Sequence, residues 1–342
     1  MKLVTGGSGY LGIALVKALI ERGEQVRVLD LNAPDEDVEV DFICGDIRDK
    51  STVNLAVQDV DTVFHNVATV PLAKDAQEFI SVNVQGTRNL LQASRTAGVR
   101  KVVNTSSSAV YGVPSRNPVD LSVIPKPGEA YGQAKWDAER LGEEFSDLDI
   151  STIRPRTIIG HGRLGIMQIV FEWIRTGRNV PVLGNGDNLY QFVHADDVVS
   201  ACILASKAPS SIALVGASSF GTMRETLEGL IEHANSKSRV VGLPMTPAVW
   251  GMNFTSRLGL SPLGAYHALM YGREMYFDIE STKKTLGWEP VWSNIEMFAQ
   301  AYDWYLDHRQ EVIGTHHRSH HRSPVRTGFV LNAVSRALSL WP

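Results

Sequence analysis

The sequence predicts an α/β protein built on a doubly wound parallel sheet, with a smaller, discontinuous C-terminal lobe. Three observations predict it. The chain opens with an apolar run, a glycine turn and a helical pattern: Met1–Val4, Thr5–Gly12 and Ile13–Ile20. Short apolar strand-like runs then alternate with amphipathic helical stretches as far as Pro155. Beyond that point the rhythm loosens into loops, short strands and scattered helices. Residues 1–155, with 187–215 returning to them, are therefore assigned to the sheet domain. Residues 156–186 and 216–308 form the second lobe, and 309–342 a tail.

The glycine turn comes first. Gly6, Gly9 and Gly12 stand three apart, and Gly7, Gly9 and Gly12 also satisfy G-x-G-x-x-G. Glycines are needed because the turn is tight and its backbone must approach a pyrophosphate. The phosphates then meet the free N–H groups and positive end of the following helix, which starts around Tyr10 and Leu11. The second strand, Val26–Asp30, ends on a carboxylate 18 residues beyond Gly12. That is close to the spacing at which an acid accepts both hydroxyls of an adenosine ribose. A 2′-phosphate would be repelled there, and Leu31–Pro34 bring no Lys or Arg to welcome one. The pattern favours NAD over NADP.

Val38–Asp46 reads as a third strand ending in a turn, where Asp46 and Ile47 offer an adenine ring a hydrogen bond and an apolar contact. Ser51 is expected to cap a short helix. Asp61–Ala68 is a fourth strand, with Val67 and Ala68 at its cofactor end. Residues 76–97 read as one long amphipathic helix that carries Asn83, and Gly98 stops it. Arg100–Ser107 is a fifth strand. A proline-rich loop, Val113–Gly128, leads to a helix beginning near Tyr131, and Ile150–Arg154 is a sixth strand halted by Pro155. Helices are expected at Met167–Thr176, from Asp197 to Ser206 and at 222–235, with a strand and glycine turn over Val180–Asn188. Residues 245–272, rich in Met, Trp and Tyr, read as an apolar cover over a substrate.

The bulk composition narrows the function class. With 342 residues, 44% hydrophobic and 20% charged, the chain suits a soluble enzyme. A net charge of -4 and a pI near 6.2 give no reason to expect nucleic acid as a partner. Cys44 and Cys202 sit in apolar runs with neither metal-ligand spacing nor a disulfide framework. No resident metal is expected. A first strand at Met1 leaves no room for a signal peptide and no apolar run reaches membrane-spanning length, so a cytoplasmic protein is expected.

Tyr131-Gly-Gln-Ala-Lys135 places a phenol and an ammonium one turn apart on one helix face. A nearby ammonium favours the phenolate and lowers the tyrosine pKa from about 10. The tyrosine can then take a proton from an alcohol near neutral pH. The fifth strand brings the hydroxyls of Thr105-Ser-Ser-Ser108 to the carboxyl edge of the sheet, where ligands bind in open α/β folds.

In these residues the chain resembles the extended short-chain dehydrogenases/reductases, whose nucleotide-binding half is a Rossmann fold. The likeness spans roughly residues 1–308. It rests on ordered motifs: Gly6-x-x-Gly9-x-x-Gly12, Gly45-Asp46-Ile47, Asn66-Val-Ala68 and the Val82–Leu91 helix segment. Ser106-Ser-x-x-Val-Tyr-Gly112, Tyr131-x-x-x-Lys135, Arg154-Pro155, Phe192–Asp197 and Leu286–Pro290 complete the set. The resemblance implies that Tyr131 is the acid/base, Lys135 its partner and Ser107 the hydroxyl that orients the reacting group. It implies that Asn83 touches the cofactor, that NAD is that cofactor, and that the chain forms a homodimer through helices 76–97 and 131–145. Phe79, Val82, Leu90 and Leu91 are more apolar residues than one sheet face requires, in keeping with that dimer.

Departures from the family bear on the substrate. Ser108-Ala109 stand where nucleotide-sugar dehydratases carry Asp-Glu, which argues against dehydration. Arg156-Thr157 and Tyr190-Gln191 replace residues usual in sugar epimerases, and the Gly184–Phe192 run looks equally like the 3β-hydroxysteroid dehydrogenase branch. The Thr105–Gly112 and Leu286–Pro290 segments look like the epimerases. A nucleotide-sugar epimerase is the reading favoured; an NAD-dependent secondary-alcohol dehydrogenase of hydroxysteroid type is the alternative, and a non-catalytic scaffold a third. Ser108, Arg156 and Arg273, with Arg163, are the candidate substrate contacts.

His65 and His194 are expected to be packed and hydrogen-bonded, Asp196-Asp197 to suit a helix start, and Trp250 and Tyr271 to pack in the cover. The histidine-rich tract Thr315–Arg322 precedes a stripe of apolar residues within 328–341. That stripe is expected to make a weak contact with a membrane surface or a partner protein, or to dock on the chain itself.

Overall fold

The computed structural model describes residues 1–34, 38–69, 76–160, 162, 165–257 and 270–314. Arg163 and the tail segment 328–341 lie outside them, as does the middle of the expected cover. Seven parallel strands form the central sheet. They are β1 (Lys2–Thr5), β2 (Val26–Asp30), β3 (Asp41–Cys44), β4 (Thr62–His65), β5 (Lys101–Thr105), β6 (Ile150–Pro155) and β10 (Ile212–Val215). Their order is β10-β6-β5-β4-β1-β2-β3. Successive strands step one way from β1 to β3 and the other way from β4 to β10, so the order reverses between β1 and β4. The crevice outside their carboxyl ends is where ligands bind in such sheets. This is the Rossmann arrangement.

Register is set by apolar residues covered on both faces. Val4 lies opposite Val28 on one side and Phe64 on the other. Every residue of β4 and β5 is buried, as expected for a parallel sheet with helices on both sides. Helix α1 (Tyr10–Ile20) turns Ile13, Leu15, Val16 and Leu19 inward. Each such fully buried side chain contributes about 1.5–3 kcal/mol. Helix α2 (Lys50–Ala56) is capped by Asp49, whose carboxylate accepts from the Ser51 N–H. The cap is therefore Asp49, not Ser51: a carboxylate serves as N-cap when the serine hydroxyl lies inside the first turn.

The helix expected over 76–97 is interrupted. A short α3 (Ala76–Glu78) runs into a π-helical stretch, Phe79–Gly86, before α4 (Thr87–Ala97). The Thr87 hydroxyl donates to the Asn83 carbonyl at 2.6 Å, and at Gly86 a Cβ would lie 2.5 Å from Ile47. The apolar residues offered above for a second copy are used by the chain itself. Phe79, Leu90 and Leu91 are buried, and Val82 packs on the core between sheet and helices. The third expected strand is also shorter than Val38–Asp46, because β3 is an edge strand paired only with β2, over Asp41–Cys44.

Helix α5 (Ala130–Glu144) packs beside the π-helical stretch, and β6 continues through Pro155 rather than stopping before it, since Pro155 pairs with Val215. Beyond β6 come β7 (Thr157–Ile159), α6 (Met167–Arg175), β8 (Val180–Leu183), β9 (Phe192–His194) and α7 (Ala195–Ala205). After β10 follow α8 (Met223–His233), β11 (Val240–Leu243), α9 (Met245–Arg257), α10 (Glu280–Leu286) and α11 (Asn294–Gly314). Strands β7 and β9 pair with each other, as do β8 and β11. Trp250 is 76% exposed and so is not packed as expected; Tyr271 stacks on Tyr190, ring centres 5.9 Å apart. Among the described residues no helix is long and apolar enough to cross a membrane.

Candidate active site

The glycine turn links β1 to α1 at the strand-order reversal. Gly6 has φ of 70°, and a Cβ there would lie 3.0 Å from the Val67 nitrogen. At Gly12 a Cβ would fall 2.0 Å from the Gly6 carbonyl oxygen. Neither position admits a side chain. Helix α1 starts at Gly9 with no side-chain cap and no acid in its first turn. Its first N–H groups and positive end therefore stay available to an anion. Tyr10 turns its ring into the core, with its hydroxyl beside Gly160, so Tyr10 and Leu11 can serve phosphate only through their backbone.

Asp30 sits beside this turn at the end of β2. One carboxylate oxygen accepts from the Ser8 N–H at 3.1 Å and the other from Asn32 N–H at 3.2 Å. Burial raises its pKa, and the N–H groups of Asn32 and Ser8 oppose the rise. A half-buried acid with lone pairs to spare suits a diol. Val67 and Ala68 stand half-buried where the chain leaves β4. Asp46 and Ile47 follow β3 at the carboxyl edge of the sheet. The Asp46 carboxylate is engaged by Arg48, which lowers its pKa, and Ile47 is buried beneath Gly86. Asn83, 1% exposed, spends its amide on Thr69, accepting from its N–H at 2.8 Å and donating to its carbonyl. It pins the chain just past β4. The turn, the uncapped helix end and Asp30 fit a dinucleotide.

Glu129 fixes where α5 begins, accepting from the backbone N–H groups of Tyr131 and Gly132 at 2.8 and 2.6 Å. Burial raises its pKa against the pull of those N–H groups. Tyr131 is buried, its ring edge-on to Phe79 at 6.0 Å. Lys135, one turn on, is 6% exposed and donates to the Thr105 carbonyl at 2.8 Å. Burial pushes its pKa from 10.5 down to about 8, with the nearby Glu139 carboxylate opposing the fall. Gly132 lets α5 approach the 3-10 turn Ser108–Tyr111: a Cβ there would lie 2.4 Å from the Ala109 carbonyl. Ser107 caps that turn, accepting from the Ala109 N–H at 3.1 Å. The structure thus gathers Ser107, Ser108 and the Tyr131–Lys135 helix face at the carboxyl end of β5.

Glu139, to which the sequence assigned no role, and the buried groups around it support this corner. Glu139 receives Arg154 in a buried ion pair at 2.5 Å and is also hydrogen-bonded by Ser106. Arg154 donates to the Tyr111 hydroxyl at 2.6 Å. His65 is fully buried between the Thr5 and Thr87 hydroxyls at 2.7 and 2.8 Å, and burial with the Lys135 charge takes its pKa down to about 3. Glu139 was detectable in the sequence, one helical turn beyond Lys135 on the same face. Arg156 is 1% exposed and donates to the Ser108 hydroxyl at 2.8 Å. Arg273 is exposed; its carbonyl accepts from Asn188. His194 caps α7 and bonds Gln300 at 2.6 Å. Asp197 holds the Val291 and Trp292 N–H groups in addition to its helix-start position.

A Rossmann sheet with this cradle beside its strand-order reversal defines a dinucleotide-binding class of protein. The sequence profile of the NAD dependent epimerase/dehydratase family matches residues 2–216. The chain belongs to that family, and NAD is its cofactor. It is 47% identical to the protein y4nG of Sinorhizobium fredii, over 99% of this chain and 87% of that one. It is 29% identical to the decarboxylating sterol-4-alpha-carboxylate 3-dehydrogenase of Mus musculus, over 84% and 86%. Among solved structures it resembles the UDP-glucose 4-epimerase of Thermus thermophilus in complex with NAD, with a TM-score of 0.72 and 26% identity. That likeness covers 90% of this chain and 99% of the other.

Proposed function

We propose that the chain is a nucleotide-sugar epimerase that inverts a secondary alcohol through transient oxidation. The observation that carries the reading is the corner built by Ser107, Tyr131 and Lys135. The lysine is desolvated against the Thr105 carbonyl beside the helix face of the tyrosine. Bound NAD supplies the hydride acceptor and donor. Tyr131 takes the hydroxyl proton as the carbonyl forms and returns it as the alcohol is restored. The Lys135 ammonium, whose field on neighbouring charges is stronger in the buried site, stabilises the phenolate that this requires. Ser107, at the mouth of β5, orients the reacting oxygen. The glycine turn, α1 and Asp30 hold the cofactor, while Asn83 fixes the loop after β4 next to it.

The likeness to a UDP-glucose 4-epimerase over nearly the whole of that protein favours epimerisation. The comparably broad likeness to a sterol dehydrogenase supports the second reading, net oxidation of a secondary alcohol. The two differ in whether reduced cofactor leaves. Purified protein given UDP-galactose is expected to yield UDP-glucose with no net rise in absorbance from NADH. Stoichiometric NADH release with a hydroxysteroid, and no action on UDP-sugars, would replace the epimerase by the dehydrogenase.

A further inference from the structure

We propose that Arg156 and Ser108 form a subsite for a carboxylate carried by the substrate close to its reacting hydroxyl. The proposal rests on the reading of the site as an alcohol-oxidising centre. Arg156 is 1% and Ser108 2% exposed. One guanidinium nitrogen, Nη1, donates to the Ser108 hydroxyl at 2.8 Å. The other two, Nε and Nη2, are shielded from solvent and have no hydrogen-bond partner. The guanidinium carbon lies 4.8 Å from the Tyr190 ring centre and 5.8 Å from that of Phe277. Aromatic faces attract a cation but leave its in-plane N–H groups unmet. Buried arginines are ordinarily paired; among the described residues this one meets no anion.

Arg154, two residues earlier, shows what such a group looks like when satisfied. Its Nε and Nη2 hold the Glu139 carboxylate along one edge. Arg156 presents the same edge, Nε and Nη2, unfilled. Two parallel N–H donors in one plane match the two oxygens of a carboxylate. The position sets the ligand's place on the substrate. Arg156 follows the end of β6, and Ser108 adjoins Ser107 at the end of the neighbouring β5. The anion therefore docks at the reacting end of the substrate, beside the hydroxyl that Tyr131 serves. A neutral group placed there would leave the buried cation unpaired, so the subsite selects acids over their neutral counterparts.

The test uses the full-length, NAD-loaded protein and the pair UDP-glucuronate and UDP-glucose, which differ only at sugar C6, a carboxylate in the first and a hydroxymethyl group in the second. Calorimetry is expected to show UDP-glucuronate bound about 30- to 1,000-fold more tightly, with the preference erased in Arg156→Met. Equal binding by the wild type, or a preference that survives in the variant, overturns the proposal. Without ligand, Arg156→Met is expected to unfold at or above the wild-type temperature, since an unpaired buried charge is removed. A lower midpoint assigns Arg156 to the packing of the fold and overturns the subsite. If neither UDP compound binds, the nucleotide-sugar reading fails and acetate becomes the probe. A saturable downfield shift of the Arg156 Nε–H resonance, assigned by its loss in Arg156→Lys and unmoved by ethanol, then supports the subsite. An unmoved resonance overturns it.

Discussion

Lys135→Met is expected to make the protein more stable and inactive. The fall of the Lys135 pKa from 10.5 to about 8 on folding corresponds to about 3 kcal/mol of folding stability forgone wherever both states hold the proton. Methionine is of similar length and carries no charge, so it removes that penalty. It also removes the hydrogen bond to the Thr105 carbonyl, a loss of about 1–2 kcal/mol. The net gain at pH 7 is about 1–2 kcal/mol, or about 1.5–3 °C in the unfolding midpoint of a chain this long. The pH dependence separates this cause from general repacking. Between pH 8 and 10.5 the unfolded lysine is still protonated while the folded one is not, so wild-type stability rises with pH through that window. Below it the penalty is complete; above it the penalty is gone. The difference between variant and wild type should therefore shrink steadily from pH 8 to 10.5 in paired denaturant titrations. A variant less stable than wild type at pH 7, or a difference independent of pH, would refute the argument.

Three further outcomes follow from the geometry. Gly12→Ala drives a methyl group against the Gly6 carbonyl, so NAD affinity should fall by at least about tenfold, about 1.4 kcal/mol, in equilibrium binding; unchanged affinity would move the cofactor elsewhere. Asp30→Ala should weaken NAD and narrow its advantage over NADP, as measured by paired dissociation constants, and equal effects on both cofactors would remove Asp30 from the ribose. His65, with its pKa lowered from 6.5 to about 3, stays neutral in the fold while the unfolded chain takes up a proton. Stability should thus fall by about 1.4 kcal/mol per pH unit below 6.5, and His65→Gln should lack that slope; identical acid titrations would contradict it.

Much of the cofactor half was legible because its signals are local. Gly9 and Gly12 close on the Gly6 carbonyl inside one turn where Gly6 itself has a positive φ, and Tyr131 and Lys135 share a helix face by spacing alone. What the sequence did not show are the partners these side chains find far along the chain. Arg154 and Glu139 look like ordinary charges until β6 brings one onto α5. Arg156 is distinguished from a surface arginine only by what surrounds it, Ser108, Tyr190 and Phe277. The helix pattern of Leu90 and Leu91 does not show that the chain's own core covers both. The π-helical stretch at Phe79–Gly86 carries no periodic signature; Gly86 approaches Ile47 there, and the Thr87 hydroxyl bonds the Asn83 carbonyl.

The most direct test of the central claim is Tyr131→Phe, assayed for interconversion of UDP-galactose and UDP-glucose and for NAD binding on the same preparation. The phenol moves a proton while the glycine turn and Asp30 hold the cofactor. Turnover should therefore fall by at least about 100- to 10,000-fold with the NAD dissociation constant unchanged. Turnover near that of the wild type, or loss of NAD in step with activity, would contradict the assignment of Tyr131 as the acid/base.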